Sequence, residues 1–367
     1  MTLDFVLLKQ SHCVTLVSIM SLISLKLKNF RNHKNATFTF PLTTVIIGRN
    51  TVGKTSILEA IQFLSHGKSF KAERDMDIIT EGHDFARIEA KVAEEDGTVS
   101  LTGILAIKEN RFSKKFLVNN VARRQIDFTS RFPSVLFTPE DLEVITDSPS
   151  LRRNYINSVL SQTDKKYRMA VGIYEKALRQ RNRMLWLTRE GKKYFSPADF
   201  EYWDTILINN GGIITEFREQ LVTYINEHKK EVFPFTIFYD KSTITRERLD
   251  KYHDAERATA TTLVGPNRDD FFFRFEGTEK PISEFGSRGE QRLTIFQMKI
   301  LETFYIKEKT GVTPTLLLDD IFSELDNTNI HRVLDLLPHQ QTILTTTHKE
   351  FVPKKILDKE EVEIIEL

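Results

Sequence analysis

Leu25 and Leu27 alternate with polar residues ahead of Phe30, and Ala36–Phe40 repeats the pattern, so the chain opens on half-buried strands. Thr44-Val45-Ile46-Ile47 is instead continuously apolar, as a parallel strand buried on both faces requires. A glycine-bearing turn comes next, then a helical pattern from about Lys54 to Leu64. Further strand-like segments lie at Ala86–Val92, Val99–Ile107 and Lys115–Val118. From about Pro139 the period becomes helical. Asp147-Ser-Pro-Ser150 supplies helix-start chemistry for Leu151–Leu160. Ser161–Leu187 and Ala198–Lys229 read as longer amphipathic helices, with Gly211-Gly212 and Pro234 interrupting the region. No apolar heptad persists over several turns, which excludes a long coiled coil. After Leu263 strands and helices return in α/β order. The pattern predicts an α/β head built from both ends of the chain, 20–134 and 262–367, with an α-helical lobe, 135–261, inserted between them.

Composition changes this picture little. The 367 residues are 40% hydrophobic and 28% charged, an ordinary globular balance, and a net charge of +1 hides any local basic face. A single cysteine, Cys13, excludes an intrachain disulfide, and the nine histidines show no paired ligand spacing, which argues against a zinc site. The near-apolar stretch Val14–Leu25 is shorter than the roughly 18–20 residues that span a bilayer. Residues 1–19 look unrelated to the rest of the chain and carry no cleavage site of the small-x-small kind. They are expected to be a disordered or spurious extension, with Met20 as the start.

Gly48-Arg49-Asn50-Thr51-Val52-Gly53-Lys54-Thr55 matches G-x-x-x-x-G-K-[ST] between a buried strand and a helix. The glycines let backbone N–H groups turn inward around phosphate oxygens, and the helix N-terminus adds its positive dipole end. Lys54 would reach the β- and γ-phosphates of ATP, and the Thr55 hydroxyl would ligate Mg²⁺. Thr315-Leu-Leu-Leu-Asp319-Asp320 is a buried-strand pattern ending in two carboxylates. Asp319 would hold Mg²⁺, directly or through water, and Asp320 would orient or deprotonate the attacking water.

Ser287-Arg-Gly289-Glu290-Gln291 precedes a helical apolar period and reads as a capping box. It also resembles the signature S-x-G-[EQ]-Q of ABC-type ATPases. In that class the signature caps the γ-phosphate held by the other subunit of a dimer. The resemblance implies a D-loop at Ser323-Glu-Leu-Asp326 and a γ-phosphate-sensing switch at His348. Phe132–Glu140 occupies the Q-loop position but contains no glutamine.

Several segments narrow the likeness. Leu27-Lys-Asn-Phe-Arg31-Asn32, Thr138-Pro-Glu-Asp-Leu142, Ser148-Pro-Ser-Leu-Arg152-Arg153, Gln180-Arg181-Asn182, Gly265-Pro-Asn-Arg268-Asp269-Asp270 and Leu317–Asp326 resemble the RecF family of ABC/SMC-type ATPases in order and spacing. The likeness departs at Thr51, where glycine is usual, and at Asn267, where histidine is frequent. It implies an ABC-type head with Arg31 near the nucleotide, and a cytoplasmic protein without membrane contact that forms a homodimer on ATP. The same resemblance implies slow, DNA-stimulated ATP hydrolysis, since Asp320 is shorter than the glutamate of most ABC proteins. It further implies binding to dsDNA and to ssDNA-dsDNA junctions. With RecO and RecR as partners, such a protein helps load RecA in gap repair, fork recovery and the SOS response.

The lobe would be the DNA and dimer arm. Between Leu151 and Lys193 stand twelve Lys/Arg against three Asp/Glu, an excess suited to phosphate contact. Arg179, Arg181, Arg183, Lys192 and Lys193 are its densest candidates. A rival class, the nucleotide-binding subunit of an ABC transporter, normally carries a Q-loop glutamine and lacks the Gly265–Asp270 segment.

Overall fold

The computed structural model describes residues 18–129, 131–321, 340–352, 356 and 362–367. Strand β1 (Ser18–Ile19) precedes β2 (Ser21–Phe30), β3 (His33–Thr39), β4 (Thr43–Ile47) and helix α1 (Lys54–His66). Then come β5 (Phe85–Glu94), β6 (Gly97–Lys108), β7 (Arg111–Val118), β8 (Val121–Arg123), the short helix α2 (Gln125–Phe128) and β9 (Ser134–Phe137). Helices α3 (Glu143–Thr146), α4 (Pro149–Thr163), α5 (Lys165–Arg189) and α6 (Pro197–Glu227) succeed them. Next are β10 (Phe235–Asp240), α7 (Arg246–Thr259), β11 (Asp270–Phe275), α8 (Ile282–Phe285) and α9 (Arg288–Thr310). β12 (Val312–Thr313), β13 (Thr315–Asp319), β14 (Thr342–Thr346) and β15 (Val362–Glu366) complete the described elements.

Among the described residues, five strands form a parallel sheet in the order β15-β4-β14-β13-β9. Alternation decides what each face buries. Ile46, Leu136, Leu317 and Ile343 point to one core, shared with α1 and an antiparallel sheet ordered β3-β2-β5-β6-β7-β8. Val45, Val135, Phe137, Leu316, Leu318 and Leu344 point to the other, where Phe296 and Ile300 of α9 cover them. Both faces being buried, the continuous apolar strands of the sequence are what this layer needs. Helix α9 turns Ile295, Met298, Leu301 and Tyr305 toward a third core, that of the lobe.

Several sequence boundaries shift. Helix α6 runs unbroken through Gly211-Gly212, where an interruption was expected. A Cβ on Gly211 would stand 2.5 Å from Ile244 Cγ2 and 3.3 Å from Tyr174 Cε2. The glycine therefore permits close packing and does not end the helix. The head sheet extends through Phe137, past the boundary drawn at 134. Strand β11, assigned to the head, pairs antiparallel with β10 and places Phe271 and Phe273 in the lobe core. Ser18–Ile19, assigned to the extension, pair in parallel with Val312–Thr313. Residues 1–17 lie outside the described residues, as does the D-loop segment Ser323–Asp326. No helix among the described residues is long and apolar enough to cross a membrane.

Candidate nucleotide site

Strand β4 delivers the chain into the loop Gly48–Gly53, and α1 leaves it. A Cβ on Gly48 would meet Val52 Cγ2 at 2.8 Å and the Leu367 carbonyl at 3.1 Å, so no side chain fits there. Gly53 is left-handed at φ +109° and is braced from the β2–β3 turn. Asn32 Nδ2 donates to the Val52 carbonyl at 2.8 Å, and His33 Nε2 lies 3.1 Å from the Gly53 carbonyl. Thr51 keeps the left-handed turn at φ +74°, although it is β-branched. The departure from glycine thus leaves the loop's path intact and loads strain onto Thr51. Lys54 Nζ donates back across the loop to the carbonyls of Gly48 at 2.6 Å and Arg49 at 3.0 Å.

Beside the loop lies a cleft of about 870 Å³, within the usual range for a small-molecule site. Asn50, Thr51, Gly53, Lys54 and Thr55 line it together with Asp319 and Asp320. Thr55 Oγ1 donates to Asp319 Oδ1 at 3.1 Å, and Thr345 Oγ1 donates to the same oxygen at 2.6 Å. Burial raises the Asp319 carboxyl above its ordinary pKa, against the pull of the two hydroxyls, and the nearby charge of Glu140 adds to the rise. Asp320 sits in the left-handed region at φ +48°, where its N–H donates to Thr345 Oγ1 at 3.1 Å. A threonine hydroxyl and a carboxylate 3.1 Å apart are hard oxygen donors that suit Mg²⁺.

Arg31 lines the same cleft, but its guanidinium is engaged. Nε and Nη2 grip Glu59 of α1 at 2.8 and 2.6 Å, and Nη1 donates to the Asp77 carbonyl at 3.2 Å. This fork fixes α1 against the β2–β3 turn, a role that residue type alone did not disclose.

Glu140 was missed. It lines the cleft from the segment Phe132–Glu140, which contains no glutamine. A capping box between Thr138 and Asp141 shapes the turn that presents it. Asp141 in turn contacts buried Lys299 at 3.2 Å, which ties this part of the cleft to α9.

The capping box at Ser287 and Glu290 is present. Ser287 and Gly289 are exposed and are not among the residues lining the cleft. His348 lies just past β14, is exposed, and is likewise not in that lining.

On the lobe, the basic candidates separate. Arg179 and Arg183 are exposed on α5, in helical register with Lys176. Lys192 and Lys193 stand in the turn after it. Arg181 does not belong with them. It is 2% exposed, with Nε on Asp204 at 2.7 Å and Nη1 on Glu256 at 2.7 Å. A buried guanidinium held by two carboxylates cannot reach a phosphate. Basic composition suggested a surface role, whereas its position on the inner face of α5 makes it a core ion pair.

The fold and site together define a P-loop ATPase head of the ABC/SMC class. Residues 19–363 match the RecF/RecN/SMC N-terminal domain family. The DNA replication and repair protein RecF of Roseiflexus castenholzii is 32% identical, over 91% of this chain and 95% of that protein. RecF of Lachnoclostridium phytofermentans is 34% identical over 91% and 94%. A solved structure of the recombination mediator protein RecF with ATP, in the RecFOR pathway, superposes with a TM-score of 0.83. Its identity is 27%, covering 91% of this chain and 94% of that one. An Smc head domain from Pyrococcus yayanosii shares the fold at 16% identity and a TM-score of 0.52. The chain belongs to the RecF family.

Proposed function

We propose that this chain is an ATP-dependent DNA clamp of recombinational gap repair and replication-fork recovery. Two copies would close on ATP and Mg²⁺, hold dsDNA or an ssDNA-dsDNA junction between their lobes, and help RecO and RecR load RecA. One observation carries the dimer. The chain possesses both halves of an ABC-type site yet keeps them apart, with Ser287 and Gly289 exposed and outside the cleft that holds Lys54. Phe285, just ahead of that helix start, is likewise 60% exposed. A second copy would bring its Ser287 to the phosphates cradled by Lys54 of the first.

Within the cleft, Lys54 would place positive charge on the β- and γ-phosphates, and Thr55 and Asp319 would hold the cation. Bound Mg²⁺ would supply neutralisation of the triphosphate charge. Asp320 would orient water or accept its proton, with the short reach that suits slow, DNA-stimulated turnover. Exposed Arg179 and Arg183 support phosphate contact without base reading, hence steep salt dependence.

Sedimentation mass with and without ATP-Mg²⁺, repeated with gapped duplex, tests the reading. The expected result is a dimer only with ATP, strengthened by DNA and lost in Lys54→Arg. A monomer under every condition would overturn the clamp.

A further inference from the structure

We propose that the turn joining α5 to α6 is a stacking platform for unpaired bases of a single DNA strand. This rests on the DNA-binding reading above and assigns the strand form and the residues. Helix α5 is 25 residues long, about 37 Å. Its first residue, Lys165, is tied to Asp127 at the head by an ion pair of 2.8 Å. The turn is therefore a full helix length from that anchor.

The turn is ordered by its own bonds. The N–H groups of Lys192 and Lys193 both donate to the Leu187 carbonyl, at 3.0 and 3.2 Å, and Gly191 takes the left-handed conformation at φ +65° that this reversal needs. Phe195 packs edge-on against buried Phe200 at 6.3 Å, anchoring the turn on the lobe. What remains outside is aromatic and cationic together. Trp186 is 40% exposed and Tyr194 70% exposed. Lys192 Nζ lies 4.1 Å from the Trp186 ring centroid, and the Arg257 guanidinium lies 5.9 Å from that of Tyr194.

Two large exposed rings, each with a cation over one face, offer their remaining exposed π-surface to a base and a charge to its phosphate. A blunt duplex hides the faces of all but its terminal base pairs within the stack and gains little from the rings. A single strand presents both. The cations Lys176, Arg179 and Arg183 lead along α5 toward this turn, which favours a polyanion lying along the helix over a flat bilayer.

The chain has two tryptophans, so Trp203→Phe leaves Trp186 as the sole reporter. The full chain with ATP-Mg²⁺ would be titrated with oligothymidylate, a tailed duplex, a blunt duplex and phosphatidylglycerol vesicles. Quenching by the first two and not by the blunt duplex is expected. Trp186→Ala with Tyr194→Ala should weaken tailed-duplex binding roughly tenfold and leave blunt-duplex binding unchanged, while Trp186→Phe keeps most of the affinity. Equal quenching by blunt duplex, or equal loss on both DNAs, overturns the platform. Quenching by vesicles alone would make the turn a membrane contact. Normal duplex binding with no effect of the tail sinks the platform alone, whereas failure of every DNA to bind sinks the DNA-binding reading with it.

Discussion

Thr55 and Asp319 are 264 positions apart in sequence, and the hydroxyl of one donates to the carboxylate of the other at 3.1 Å. The bond joins the helix after the phosphate loop to the end of β13. Asp319 is buried and its pKa is raised, so its charge opposes folding. Protonation therefore stabilises the folded chain, and stability falls as pH rises through the raised value. Asp319→Asn should melt higher than the parent without ligand. The same change removes the anionic cation ligand, so Mg²⁺-dependent ATP affinity should drop by about tenfold or more, roughly 1.4 kcal/mol. Calorimetry of both proteins, with and without Mg²⁺, reads the two opposite effects. Unchanged Mg²⁺-dependent affinity would remove Asp319 from the cation site.

Thr51 holds a left-handed turn that glycine adopts freely. The strain is about 1–2 kcal/mol, and the extra unfolded-chain entropy of glycine returns about 0.5–1 kcal/mol of it. Thr51→Gly should raise stability by about 0.5–1 kcal/mol in a denaturant titration. A loss of stability would mean that the threonine side chain stabilises the loop by more than its backbone strain.

Arg181 and Arg183 are two residues apart and should behave in opposite ways. Arg181→Ala leaves Asp204 and Glu256 buried without their shared cation, a destabilisation of about 3–5 kcal/mol. Arg183→Ala should change stability by less than about 0.5 kcal/mol and lower the salt slope of duplex binding by about one. Denaturation curves and salt-titrated binding separate them. A stable Arg181→Ala protein would contradict its place in the core.

His66 ends α1 with its Nε2 enclosed and without a hydrogen-bond partner among the described residues. Burial lowers its pKa to about 4, outweighing the Gln62 carbonyl that favours the charged form. The unfolded chain takes up this proton near pH 6.5 and the folded chain only near 4, so stability falls as pH drops through that window. The limiting slope is about 1.4 kcal/mol per pH unit. Substituting His66→Gln should flatten this part of the profile, and an unaltered slope would refute the assignment.

Legibility in the sequence depended on how each feature is encoded. The phosphate loop, the acidic strand and the capped start of α9 were legible because backbone geometry is dictated within a few adjacent residues. Gly211 and Arg181 misled for the opposite reason. Their roles depend on Ile244, Asp204 and Glu256, which only the folded lobe brings near. The β10–β11 pairing was hidden in the same way, since nothing local to β11 distinguishes a partner in the head from one in the lobe. Glu140 is hidden for a similar reason, because only the fold brings it to the cleft beside Asp319.

The parallel sheet that seats the phosphate loop takes strands from residues 43–47, 134–137, 315–319, 342–346 and 362–366. During synthesis the loop thus emerges some 260 residues before β13, which carries its acidic partner, and some 290 before β14, which pairs with β4. The lobe, whose core is drawn mainly from residues 144–305, has most of its partners in hand much earlier. Domains settle as their contacts become available, and pairing across long separations is slow. The lobe core can therefore close before β14 and β15 are made, whereas the sheet that seats the phosphate loop is complete only with those strands.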